Sequence, residues 1–157
     1  MDRIDREILR MLQLNSKLSY AEIGGEVKLS VSGVKERLRK LMEKGIIKEF
    51  VAVLNPSIIG VDLCAFIQVE VDARENTQNF ISRMSELPEV QECHHVTGPF
   101  TFLLKIRVKN TQELEQFLGK TLKSFSGVMR TNSLMVLSSS KETSAVMLPE
   151  LVSANAR

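Results

Sequence analysis

The chain reads as an α+β protein in two parts: a helical N-terminal third, then a larger part in which strands and helices alternate. Three observations carry this reading. Apolar residues recur at helical spacing through the first 42 positions. Strict two-residue alternation sets in at 63–72. From there the pattern runs strand, helix, strand, strand, helix, strand, the βαββαβ order of a ferredoxin-like sheet with both helices on one face. A length of 157 residues holds one ordinary domain or two small ones, each with a real core.

The first helix spans 2–14, where Ile4, Ile8, Leu9 and Leu12 share a face and Asp2 and Asp5 sit at the positive end of the helix dipole. Asn15-Ser16-Lys17 breaks it. Ser19 and Glu22 have capping-box spacing and open a short helix over 20–27, with Ile23 and Val27 inward. Gly24-Gly25 is a weak point inside it. After a tight Lys28-Leu29 turn comes 29–45, LSVSGVKERLRKLMEKG, read as one helix. Ser30 caps its first amides, Val34, Leu38, Leu41 and Met42 form the apolar stripe, and Gly45 is the left-handed stop. The opposite face carries Ser32, Lys35, Glu36, Arg39 and Lys40, with Arg37 at the margin. Helix, short helix, tight turn and basic helix make a helix-turn-helix order. Such a face fits a DNA major groove, and it also fits an ordinary solvated surface.

Charge separates the two parts. Net charge is only +2, yet residues 1–50 carry 11 basic and 8 acidic side chains, leaving 10 and 11 for the rest. A polyanion would therefore meet the N-terminal third. Two cysteines, Cys64 and Cys93, are too few for a disulfide framework or a cysteine-rich metal site. The charged start and the lack of an apolar run of about 18 residues predict neither signal peptide nor membrane span, hence a cytoplasmic protein with reduced thiols.

Residues 46–54 are β-branched and partly alternating, which predicts a strand leading out of the small domain, with a turn at 55–60. Over 63–72, Leu63, Ala65, Ile67, Val69 and Val71 share one face, and Cys64, Phe66, Gln68, Glu70 and Asp72 the other. A helix at 77–87 aligns Phe80, Ile81, Met84 and Leu87 before Pro88. Strands at 90–97 and 100–109 flank a Gly98-Pro99 turn, a helix at 111–123 carries Leu114, Phe117, Leu118 and Leu122, and 128–138 is the last strand. The sheet face away from the helices holds Cys64, Phe66 and Leu103 among polar residues, and most economically meets a second copy of the chain. The tail after Lys141, with Val146, Met147, Leu148 and Leu151, is either a docking segment or disordered.

Cys93-His94-His95 suggests metal chemistry, but a strand points His94 away from its neighbours and too few further ligands exist, so no metal and no cofactor are expected. No phosphate loop or nucleophile-base set stands out, so no catalytic residue is assigned.

Four blocks in order, MDRIDREILRMLQLNSKLS, AEIGGEVKLSVSGVKERLRKLMEKGIIKEFVAVLNPSIIG, ECHHVTGPFTFLLKIRV and GKTLKSFSGV, closely resemble the Lrp/AsnC (leucine-responsive, "feast/famine") transcriptional regulators. The resemblance covers residues 1–140. It implies a winged helix-turn-helix DNA-binding domain at 1–46, a linker strand and turn at 47–61, a ferredoxin-like effector-binding and oligomerisation domain at 62–140, and a tail at 141–157. It implies homodimers, octamers of four dimers, double-stranded DNA as partner, and an amino acid or related small molecule bound between subunits.

Carried over residue by residue, the resemblance places Ser30, Ser32, Gly33 and Lys35 near base edges, and Arg37, Arg39 and Lys40 on or near phosphates. Glu36 either pairs with Arg39 or Lys40 or faces a cytosine amino group. Two such helices in a dimer predict a pseudo-palindromic site with half-sites about one or two turns apart. For the effector, the resemblance points to His95, Gly98, Phe100, Thr101, Leu134 and Val136. Family members often have an acidic residue where this chain has Thr101, which cannot pair with an ammonium group. Two other functions stand beside the regulator: an architectural protein that wraps DNA with little specificity, and a decarboxylase of a haem precursor, for which His94 and His95 are the residues to cite. The regulator, not an enzyme, is the expected function.

Overall fold

The computed structural model describes residues 1–72 and 77–149. It divides into two compact units, 1–52 together with 142–149, and 53–141.

The first unit is built on α1 (Arg3–Leu14), α2 (Tyr20–Val27) and α3 (Val31–Glu43). Each begins with a side chain that accepts from its first free amides: Asp2, Ser19 and Ser30. Asp2 and Ser19 complete reciprocal capping boxes with Asp5 and Glu22. Ile8, Leu9, Ile23, Val34, Leu38 and Leu41 form its core. Met42, expected on the apolar stripe, is 48% exposed: it stands about 100° round the helix from Leu41, which takes the core-facing place in that turn. Gly45 leaves the helix at φ +65. The tail returns to this unit. The Gln13 amide donates to the Val146 carbonyl at 3.1 Å and accepts from its N–H at 2.7 Å, Arg6 donates to the Leu148 carbonyl at 3.4 Å, and Leu148 packs against the helical core. The docked form is thus the one seen through 149; Leu151 lies outside the described residues.

The expected strand at 46–54 does not form. Those residues take no strand pairing, and Phe50, Val51, Val53 and Leu54 are exposed. A strand needs a neighbour to accept its backbone hydrogen bonds, and these residues meet none among the described residues. The turn at 55–60 contains a short helix, α4 (Pro56–Ile59), capped by Asn55.

The second unit is one antiparallel sheet of β1 (Leu63–Val71), β2 (Val90–His95), β3 (Phe102–Val108) and β4 (Val128–Met135), ordered β2-β3-β1-β4. With α5 (Thr77–Glu86) and α6 (Thr111–Gln116) this is the expected βαββαβ arrangement. Ala65, Ile67, Val69, Val71, Phe102, Leu104, Ile106 and Val108 form the inner sheet face, covered by Phe80 and Met84 of α5 and by Leu114, Phe117 and Leu122. The last two sit on a π-helical turn, Phe117–Leu122, that continues α6; the wider turn lets residues five apart both face the core. Both strands flanking Gly98 are shorter than expected, since 96–101 forms the connecting turn.

Candidate functional site

The helix-turn-helix is positioned by local chemistry. Ser19 Oγ accepts from the Glu22 N–H at 3.2 Å, and Glu22 accepts from the Ser19 N–H at 2.7 Å. Lys28 ends α2 at φ 56, which reverses the chain within two residues. Ser30 Oγ then accepts from the Gly33 N–H at 3.2 Å and lies 3.0 Å from Ser32 Oγ. The first turn of α3 is therefore fixed with Ser32 and Lys35 exposed.

Electrostatics subdivide the basic face. Arg39 holds Glu36 through Nε at 2.9 Å and Nη2 at 2.7 Å, and also pairs with Glu43. Lys40 lies 3.3 Å from Glu36. Of the two readings of Glu36, pairing is the one seen. Arg39 hydrogen bonding, with Lys40 beside it, holds the Glu36 carboxyl at about 2, below its ordinary 4.5. These groups are solvated, and exposed ion pairs of this kind contribute little, so they exchange readily for phosphate. Lys35 makes no ion pair among the described residues. Arg37 is engaged elsewhere: its Nη1 lies 2.6 Å from Asp2 and 2.7 Å from Asp5, both of α1's N-terminal turn.

In the sheet unit, the turn between β2 and β3 is tied to β1. Thr101 N–H donates to the Val69 carbonyl at 2.9 Å. Thr101 Oγ1 accepts from the Val71 N–H at 3.1 Å and donates to its carbonyl at 3.4 Å. Gly98 lies at φ +126. The Arg130 guanidinium sits 4.7 Å over the Phe100 ring while its Nε donates to Glu70 at 3.0 Å. The His95 ring stacks on Phe102 at 5.1 Å. His95, Gly98, Phe100 and Thr101 are thus gathered at one end of the sheet.

Leu134 and Val136 are elsewhere in the same chain. Leu134 pairs with Phe66, and the Val136 N–H donates to the Cys64 carbonyl. Leu134 lies three residues along the strand from the Val69–Thr131 pair, or about 10 Å. Val136 lines a separate cavity of ≈ 480 Å³ with Cys64, Arg107, Lys109 and Ser138. Sequence reading missed Glu70 and Arg130, whose place beside Phe100 follows only from strand register. Among the described residues no group of three His, Cys, Asp or Glu side chains is placed to hold a metal ion, and no helix is long and apolar enough to cross a membrane.

Comparison with known proteins decides the family. Residues 64–146 match the Lrp/AsnC ligand binding domain and residues 1–48 a winged helix-turn-helix DNA-binding domain. The chain belongs to the Lrp/AsnC family. It is a DNA-binding transcriptional regulator with a ligand-binding domain. Similar regulators span nearly its whole length. An HTH-type transcriptional regulator of Pyrococcus horikoshii is 38% identical over 143 residues, covering 91% of this chain and 93% of that protein. The leucine-responsive regulatory protein of Klebsiella pneumoniae is 35% identical over 150 residues, covering 94% and 92%. Among solved structures, a Neisseria meningitidis transcriptional regulator in complex with L-Met superposes with a TM-score of 0.88 at 31% identity, covering 94% of this chain and 96% of that one.

Proposed function

We propose that this Lrp/AsnC regulator binds a pseudo-palindromic operator as a homodimer and that an amino acid, bound at the turn of Gly98 to Thr101, changes its assembly or its grip on DNA. The observation that carries this reading is the pair of family matches, in order, over both units. Ser32, Gly33 and Lys35 reach base edges, with Ser30 fixing the helix start; Arg39 and Lys40 exchange Glu36 and Glu43 for phosphates. The relative solved with L-Met supports an amino-acid effector. Thr101 spends its hydroxyl on Val71, so the effector's ammonium group is met by other groups. Leu134 and Val136 enter such a site only from another protomer.

Self-association is supported by apolar surface: Phe50, Val53, Leu54, Leu134, Met135 and Leu137 are each about half exposed or more. Assembly into octamers, a cytoplasmic setting and the absence of enzymatic activity complete the proposal.

The test is a mobility shift on the DNA upstream of the protein's own coding sequence, at two salt concentrations, with and without a pool of amino acids, alongside sizing of the free protein. Salt-sensitive complexes that shift with one amino acid support the whole reading. Binding with no response to any amino acid removes the effector site. Equal binding to unrelated DNA favours an architectural role instead.

A further inference from the structure

Arg37 stands on α3, where the family resemblance places it on or near phosphate. The structure gives it different work. Its Nη1 donates to Asp2 Oδ2 at 2.6 Å and to Asp5 Oδ1 at 2.7 Å. The other two carboxylate oxygens are also committed: Asp2 Oδ1 accepts from the Asp5 N–H at 2.8 Å, and Asp5 Oδ2 accepts from the Asp2 N–H at 3.0 Å. One guanidinium thus closes a ring with the capping box of α1, and all four carboxylate oxygens are used. The Asp5 side chain is only 16% exposed and that of Arg37 28%, unlike the solvated pairs of Arg39 and Lys40.

Two arguments follow. The first is charge. One cation between two carboxylates leaves this cluster at a net −1, which repels a phosphate. Moving Arg37 onto DNA would strand two carboxylates beside each other. The second is geometry. Ile8 and Leu9 of α1 share one buried cluster with Ile23 of α2 and Val34, Leu38 and Leu41 of α3, and such burial is non-directional. The hydrogen-bonded ion cluster that ties Arg37 of α3 to Asp2 and Asp5 is, by contrast, directional.

We propose that Arg37, held by Asp2 and Asp5, is a positioning residue for operator recognition: it sets the angle at which α3 presents Ser32, Gly33 and Lys35, and makes no phosphate contact itself.

The experiment uses the full-length protein with two probes, the tightest duplex it selects from a random library and a scrambled duplex of the same composition. Affinity is measured across a salt series for wild type, Arg37→Gln, Asp5→Asn, the double variant and Arg37→Lys, each first shown by thermal melting to be folded at the assay temperature. Positioning predicts that Arg37→Gln and Asp5→Asn each weaken selected-duplex binding about tenfold or more. Scrambled-duplex binding changes less than about twofold, the salt slope stays as in wild type, the double variant is no worse than either single one, and Arg37→Lys recovers part of the loss. A phosphate contact predicts the opposite pattern: Arg37→Gln weakens both probes together and lowers the salt slope by about one, while Asp5→Asn frees the arginine and tightens binding. That result overturns the proposal. So does a lowered melting temperature with both affinities unchanged, which makes the cluster a matter of stability alone.

Discussion

Gly24 and Gly25 are adjacent in α2, and alanine at the two positions is expected to act with opposite sign. In a helix interior, alanine is favoured over glycine by about 0.5–1 kcal/mol. At Gly25 nothing lies within 4 Å of the new methyl, so the full benefit is expected. At Gly24 the methyl carbon would stand 2.6 Å from the Leu29 carbonyl oxygen and 3.6 Å from Val34 Cγ2. The obstruction is backbone in the turn between α2 and α3, and that turn is held by the Leu29 N–H donating to the Gly24 carbonyl at 2.9 Å. Restoring ordinary contact means displacing the turn by roughly half an ångström or more, an overpacking cost of about 1–3 kcal/mol. The net expectation is that Gly24→Ala destabilises by about 1–2 kcal/mol and Gly25→Ala stabilises by somewhat under 1 kcal/mol. For a unit this small, each kcal/mol is several degrees of melting temperature. Urea and thermal unfolding followed by helical circular dichroism measure both variants. Two stabilising alanines would refute the claim that close approach of α2 to the turn requires glycine at 24.

Glu36→Gln is expected to tighten DNA binding and steepen its salt dependence, because Arg39 and Lys40 lose the carboxylate they share; anisotropy titrations at several salt concentrations read this directly. The same variant bears on pH. Glu36 is held at about 2 against an ordinary 4.5, chiefly by Arg39, so its contribution is present above pH 4.5 and is lost as pH falls toward 2. Wild-type stability is therefore expected to decline more than that of Glu36→Gln across that window in acid unfolding. Ser30→Ala removes the cap of α3 and is expected to cost about 1 kcal/mol in chemical denaturation. Gln13→Ala removes two hydrogen bonds to Val146 and is expected to cost about 0.5–1.5 kcal/mol, with faster hydrogen exchange at the Val146 amide; unchanged exchange there would show that the tail is not held by Gln13.

What the sequence determined was local. Ser19 and Ser30 start their helices because a short side-chain oxygen reaches the amide three residues on, and no distant contact is needed; Asp2, read as a charge at the helix dipole, caps α1 in the same way. The alternation at 63–72 already separates Val69 from Gln68, and the βαββαβ order leaves few topologies. What only the tertiary structure decided lay between residues far apart in the chain. The stretch 46–54 has the composition of a strand, but a strand exists only where a neighbour accepts its hydrogen bonds. Gly24 looks like a flaw until Leu29 is seen against it. Arg37 belongs to a basic helix by composition, and no local pattern reveals two carboxylates 35 and 32 residues earlier that hold it. Likewise Leu134 shares β4 with Arg130 and Val136 follows just beyond its end, yet the packed sheet sets Arg130 beside Phe100 and leaves the other two farther along. Helix caps and periodicity act over a few residues and can be read directly. Which charge meets which, and which strand finds a partner, depends on how the packed elements bring distant residues within a few ångströms.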